Sequence, residues 1–552
     1  MIHFIHTYTE NSIDTLMKSS LVKKGHGLKI MNKPEFDETE GFNSVARENG
    51  RLHGILEELS CHFYIDRLQG GLGNPKKYAY DKALIEHYKN SDKISFQGFQ
   101  LHEWASNYRS DQQRIRELAE KEGVSPDDLS FREKIKNGEL SVFLEAYTPE
   151  EWYSIPLSAT REQFLLDCET LYKKRASETD GLIFPTDSYF MAYRTAIKNG
   201  AKMLLPEVGW QIPGMRLQLA YTRGMAKSAG LPWGIYYECW YCKDGIFTIP
   251  YSLKDSKDDW NESFGEKGFG NELPMEKRQY GGSSLSLMER AWVYAYFSGA
   301  EFLGEEYGIC NTFYSVNSTK LSPYGEVKKR FIDLTERYTP SGEIVKPVCV
   351  VIPREMELLD ERLSENYLDY PPDTEGFFTK EYMRFFISSA ESIFGINGTH
   401  GNMGHTLRSG GIADIAEIVH DDMEEAIDAY DYVIDLTGKN ELKNSRDNVI
   451  SVEEARKIAD SLLPFTLPER LHVTIRRDEE GSEILIMNND GILHEMFTPD
   501  VVIPEAEIRT EINLKSPSNL TKAEGTGLLT EENGRYFMTL RGGEWIILRV
   551  YD

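Results

Sequence analysis

Hydrophobic positions along this 552-residue chain change their period several times. In the first third, short apolar runs alternate with stretches where apolar residues recur every three or four positions, which predicts strands alternating with amphipathic helices. The strands are expected at Ile2–Tyr8 (IHFIHTY), Leu28–Asn32 (LKIMN), His62–Asp66 (HFYID) and Ile94–Leu101. The helices between them are expected at Ser12–Val22, at Phe42–Leu59 with Val45, Leu52, Ile55 and Leu59 on one stripe, and at Tyr80–Asn90. Four strand-and-helix units at this pace predict a parallel α/β fold.

The pace breaks over residues 107–180, a highly charged and mostly helical stretch that reads as an insertion after the fourth strand. At that position it would either roof an active face or stand out as a solvated helical excursion. Alternation then resumes, with strands at Leu182–Thr186, Met203–Val208, Leu231–Trp240 and Ala300–Gly304 and helices at Met215–Ala229 and Leu285–Ser298. Eight strands with intervening helices predict an α/β fold, a (β/α)₈ TIM barrel over residues 1–343. The turn-rich TPSGEIVKP leads into VCVVI (348–352) and later YVIDL (432–436), the pattern of a small three-layer, flavodoxin-like α/β domain over 344–468. From 469 to 552, alternating runs separated by turns predict a small antiparallel, β-sandwich-like domain.

Charge narrows the partners. With 89 acidic against 62 basic residues the formal net charge is −27, which disfavours nucleic acid and anionic membrane surfaces. No run reaches the ~18 uninterrupted apolar residues of a membrane span, and MIHFIHTYTENS does not read as a secretory leader. Six cysteines in so long a chain do not make a disulfide framework, in keeping with a cytoplasmic location. Cys239 and Cys242 form a CxxC that lacks a second ligand pair and reads as incidental thiols. The second domain contains no phosphate-cradling glycine motif, and His400, His405 and Ser409 in its Gly-rich loop read as an ordinary loop.

Two stretches carry chemistry. LPWGIYYECW delivers Glu238 where a buried parallel strand would emerge, and KISFQGFQLHEW ends in His102, Glu103 and Trp104. In a barrel, side chains at the carboxyl ends of strands converge on one mouth, and strands four and seven lie on opposite sides of the ring. Glu103 and Glu238 are therefore expected to face each other. Cleavage of a glycosidic bond with retention needs two carboxyl groups about 5–5.5 Å apart, one to protonate the leaving oxygen and one to attack the anomeric carbon. Repulsion within such a pair raises one proton affinity, which suits a general acid. Glu207, on strand six, is the alternative nucleophile or a hydroxyl ligand. His102 is expected in the site by its strand-end position. Trp104 and Trp240 are candidate stacking platforms. Asp66, Arg67, Asp187 and Glu305 follow strand ends and either bind sugar hydroxyls or form a salt-bridged rim. No metal or cofactor is expected.

This layout resembles the clan A glycoside hydrolases, and the order of domains is most similar to the family 42 β-galactosidases. LSPYGEVKKRFIDLTERY followed by VKPVCVVIP resembles the exit from the barrel into the second domain of such enzymes. The resemblance implies Glu103 as acid/base, Glu238 as nucleophile, and an α/β domain used in homo-oligomerisation. Clan A members usually carry Asn before the acid/base glutamate. Here His102 stands in that place, as in the His-Glu of family 26 mannanases. The expected activity is a retaining exo-β-glycosidase acting on an oligosaccharide or small glycoside, first a β-galactoside, with β-mannosidase and β-glucosidase as alternatives. A catalytically silent carbohydrate-binding barrel is the alternative from another class.

Overall fold

A computed structural model of the chain describes residues 2–8, 12–31, 46–48, 50–66, 81–155, 157–189, 191–209, 214–238, 241–243, 246–248, 284–306, 312–313, 318–358, 378–395, 407, 411–439, 441–468, 471–493, 501–516 and 518–551. Arg67, Cys239, Trp240, most of the 243–282 loop, and His400, His405 and Ser409 lie outside the described residues.

Eight strands form the barrel: β1 (His3–Tyr8), β2 (Gly27–Met31), β3 (His62–Asp66), β4 (Ser95–His102), β5 (Ile183–Thr186), β6 (Glu207–Gly209), β7 (Gly234–Glu238) and β8 (Phe302–Glu305). They run in the order β5-β4-β3-β2-β1-β8-β7-β6, each pair parallel. The two ends of that order meet through the Lys202 N–H, which donates to the Ile183 carbonyl at 3.3 Å. Strand β6 is short because Pro206 has no N–H to give to a ladder. Before it, Leu204 is already bridged to Trp233. The eight expected strands are therefore present, most within two residues of the expected ends. The described part of the expected 42–59 helix runs from Arg51 to Leu59.

The 107–180 stretch is not a solvated excursion. With the residues just before it, it forms helices Trp104–Glu122, Leu129–Lys136, Pro149–Trp152 and Arg161–Glu178. Tyr108 stacks on Trp152 and on Phe164, ring centroids 5.6 and 6.0 Å apart. Buried Asp111 accepts the N–H groups of Glu145 and Ala146 at 2.8–3.0 Å, tying the connecting loop to the first helix. Burial pushes that carboxyl up to about 7 even so.

Beyond the barrel, Ala416–His420, Val348–Ile352 and Tyr432–Asp435 make a three-stranded parallel sheet with Val348–Ile352 at its centre. A five-stranded antiparallel sheet is built around Gly481–Met487 and Trp545–Tyr551, and a three-stranded one around Arg535–Leu540. The barrel helix Met215–Ala229 lies against Ala416–His420 so closely that a Cβ on Gly224 would meet the Ile418 carbonyl. Asp414 closes this junction. Its carboxylate accepts from Arg223 at 3.0 Å and from the Tyr294 hydroxyl at 2.9 Å, and Lys346 lies 2.9 Å away. Burial alone would raise its proton affinity, but Arg223, Lys346 and Arg216 outweigh it and hold the carboxyl well below its ordinary range.

Asp414→Ala would take from buried Arg223 and Lys346 their nearest counter-charge, leaving Arg223 only Glu417 at 3.6 Å, and loss of one member of a buried ion pair costs about 3–5 kcal/mol. The variant is expected to unfold at a clearly lower denaturant concentration than the native chain, read by circular dichroism. An unchanged midpoint would show that the junction contributes little to stability.

Candidate functional site

Which side chains enter the mouth is set by the two-residue period of each strand. Ile5, Tyr64, Phe184, Met203, Leu205, Tyr236 and Phe302 pack together inside the barrel. Counting on in twos from these positions, Asp66, Thr186, Glu207, Glu238 and Glu306 point the same way near the carboxyl ends. Strand β4 reaches this phase by a bulge. Its register with β3 runs His62 to Ser95 and Phe63 to Phe96, then slips so that Tyr64 pairs with Gly98. The extra residue, Gln97, reverses the phase of the rest of the strand and turns Gln100 and His102 inward. Gly98 at the bulge has φ +107°, and a Cβ there would collide with the Leu182 carbonyl.

The mouth is crowded with carboxyl groups. Lys29 rises from β2 beneath them, fully buried. It donates to the Tyr236 hydroxyl at 3.1 Å and the Glu305 carbonyl at 3.0 Å, and also to the Glu306 carbonyl, and stands 3.8 Å from Asp66. The His102 ring stands edge-on to Tyr236 with centroids 5.8 Å apart. Its Nδ1 lies 3.4 Å from Glu103 Oε2 and its Nε2 lies 3.5 Å from Glu306 Oε1.

Glu207 is at the centre. Burial raises its proton affinity well above the ordinary carboxyl range, and the charges of Glu103, Glu306, Glu238 and Asp187 push it further in the same direction. Its Oε2 accepts no hydrogen bond from the described residues. Glu238 is fully buried and folds over Gly209, where a Cβ would run into both its carboxylate and its carbonyl. Glu103 differs from both. Its side chain is 33% exposed, and its backbone takes φ +45°, a conformation costly for a residue with a side chain and concentrated at functional sites. That turn ends β4 and opens the helix Trp104–Glu122, since the Glu103 carbonyl already accepts the Asn107 N–H at 2.8 Å.

Three expected site residues stand elsewhere. Glu305 has the opposite phase to Glu306, points outward, and is ion-paired with Lys328 of the helix Pro323–Arg337. Trp104 is 2% exposed and packs edge-on against Tyr172, 5.4 Å away, in the helical layer and not as a platform over the mouth. Asp187 is occupied by backbone: it accepts the Ala105 N–H at 2.9 Å and the Tyr189 N–H at 3.0 Å, pinning the helix that comes after Glu103. Asp66, His102, Glu103, Glu207 and Glu238 are at the mouth. Lys29, Tyr236 and Glu306 were not expected there. Signals for two of them are present in the sequence: a lone lysine inside an apolar strand, and the even phase that Phe302 and Gly304 set for Glu306.

Asp187 gives this scaffold a pH signature. Burial outweighs the hydrogen bonds from Tyr189, Ala105 and Ser106 and pushes the carboxyl up to about 6. An acid whose folded-state proton affinity is raised favours folding while protonated, so its contribution is present below about pH 4 and lost as the pH rises through about 6. Asp187→Asn removes that loss. The stability of the variant relative to the native chain is therefore expected to improve by about 2–3 kcal/mol between pH 4 and pH 7, measured by denaturant unfolding at both. A difference that stays constant would place the titration elsewhere.

No protein-family model and no curated protein matches the sequence. Among solved structures, the catalytic module of a family 98 glycoside hydrolase from Streptococcus pneumoniae TIGR4, in complex with the H-disaccharide blood group antigen, is 8% identical. The match covers 99% of this chain and 98% of that one, with a TM-score of 0.44. A catalytic mutant of a family 42 β-galactosidase from G. stearothermophilus is 9% identical over 100% of this chain and 98% of that one, TM-score 0.47. A β-galactosidase from Bacillus circulans sp. alkalophilus is 10% identical over 100% and 99%, TM-score 0.46. Scores below 0.5 leave the reading of the site to this chain's own geometry.

Proposed function

We infer that the chain is a retaining exo-β-glycosidase in which Glu103 is the acid/base and Glu238 the nucleophile. The observation that carries this reading is the convergence of Glu103 and Glu238, with Glu207 and Glu306, at the carboxyl end of an eight-stranded barrel. Their unlike surroundings support unlike roles. Glu103, the partly exposed carboxyl, is placed to meet a leaving group arriving from solvent. Glu238, fully buried beside Gly209, takes the part of nucleophile in this reading. Glu207 keeps its proton more firmly than an ordinary carboxyl, and a neutral carboxyl is a poor nucleophile and a good hydrogen-bond donor.

In the first step Glu103 gives its proton to the glycosidic oxygen while a Glu238 oxygen bonds to the anomeric carbon, and the aglycone leaves as an alcohol. In the second, the Glu103 carboxylate takes a proton from water, whose oxygen bonds to the anomeric carbon as the bond to Glu238 breaks. The sugar comes away with its original anomeric configuration and both glutamates are restored. A barrel mouth rich in carboxyl groups suits a neutral, hydroxyl-bearing substrate over an anionic one. A terminal β-galactoside is the first choice of substrate, with the β-mannoside and β-glucoside next.

Turnover of aryl β-galactoside, glucoside, mannoside, fucoside, xyloside and glucuronide by native chain, Glu103→Ala, Glu238→Ala and Glu207→Ala tests this. Glu238→Ala is expected to be inactive and rescued by azide with inverted product. Glu103→Ala is expected to lose roughly 10²–10⁴-fold and to be rescued with retained configuration. No turnover of any glycoside, or a Glu238→Ala as active as the native chain, would overturn the reading.

A further inference from the structure

His102, Glu207 and Glu306 come from three different barrel strands, yet one ligand-type atom from each lies within 4.8 Å of the other two. The 3.5 Å from His102 Nε2 to Glu306 Oε1 is long for a hydrogen bond. It is close to the edge, about 3.4 Å, of a tetrahedron with metal–ligand bonds of about 2.1 Å. A second observation concerns the same carboxyl: Glu207 is only 3% exposed, and its Oε2 accepts no hydrogen bond from the described residues. A third concerns the other side of the imidazole, where Nδ1 faces Glu103 Oε2 at 3.4 Å. Metal-ligating histidines commonly turn their second nitrogen to a carboxylate, which fixes the tautomer and the ring. Lys29, bonded to the backbone carbonyls of Glu305 and Glu306, anchors the segment that carries the third ligand.

We propose that His102, Glu207 and Glu306 bind one divalent cation, Zn²⁺ or Mn²⁺, with its remaining coordination positions open to water or a substrate hydroxyl. One imidazole and two carboxylates suit these ions better than Ca²⁺ or Mg²⁺, which favour all-oxygen sites. Three protein ligands with an open position is the arrangement of catalytic rather than structural zinc sites. Neither Glu103 nor Glu238 is among its ligands, so metal binding can be tested apart from the two-glutamate reading. A cation here supplies positive charge among crowded carboxyl groups.

The test is calorimetric titration of the chelator-stripped full chain with ZnCl₂ and MnCl₂ at pH 7.5, with bound metal counted by plasma mass spectrometry. The expected result is one ion per chain. His102→Ala and Glu306→Gln, shown to be folded by circular dichroism, are each expected to weaken binding roughly 100-fold. Neither ion retained by the native chain, or affinities in both variants within threefold of native, would overturn the site. Cobalt(II) needs no variant: bound by nitrogen and oxygen at a low-coordinate site it should show intense visible bands, and a spectrum identical to that of the aqueous ion would likewise overturn the proposal.

Discussion

Asp66, Glu207, Glu238 and Glu306 stand in the mouth of the barrel with no more than 3% of their surface exposed, and Lys29 is buried beneath them. Two carboxylates about 5 Å apart repel by roughly 3 kcal/mol at the effective dielectric of a protein site, so such a group cannot remain fully ionised without compensation. Lys29 answers part of the charge, and burial with the neighbouring carboxylates raises the proton affinity of Glu207. Repulsion of this kind works against folding, so the surrounding architecture has to hold the strand ends in place. The aromatic and aliphatic core inside the barrel does this from below, and the Asp414 junction ties the barrel's flank to the sheet beside it.

The backbone selects which acids enter. A single extra residue in β4 turns His102 inward, and without the bulge at Gln97 the strand would present Leu101 to the mouth instead. The same two-residue period separates Glu305 from Glu306: one carboxyl pairs with Lys328 in the outer layer, and its neighbour joins the carboxyl cluster at the mouth. Glycine is required at Gly209 for a similar reason, because the Glu238 carboxylate occupies the space a side chain would need.

Much of the barrel was legible because parallel strands buried on both faces read as short apolar runs, and LPWGIYYECW and HFYID need little context. Three things were not. The bulge hides in FQGFQLH, where one residue more or less leaves the composition unchanged and reverses the facing of every residue after it. Trp104 reads as a strand-end aromatic until the helix Trp104–Glu122 is recognised; then Trp104, Tyr108 and Ile115 fall on one buried helical face. Asp187 comes after a strand end like a ligand would, but its partners are backbone N–H groups, one of them 82 residues back in the chain. Long-range backbone partners of this kind leave no local pattern.

The most direct test of the central claim, that Glu238 is the nucleophile in this carboxyl cluster, is covalent trapping. The native chain would be incubated with activated 2-deoxy-2-fluoro β-glycosides, galactoside first, and the modified peptide mapped by mass spectrometry. The account predicts a single added fluoro-sugar on Glu238, lost again as activity returns. A label on Glu207, or no label with a glycoside that the enzyme demonstrably hydrolyses, would contradict it.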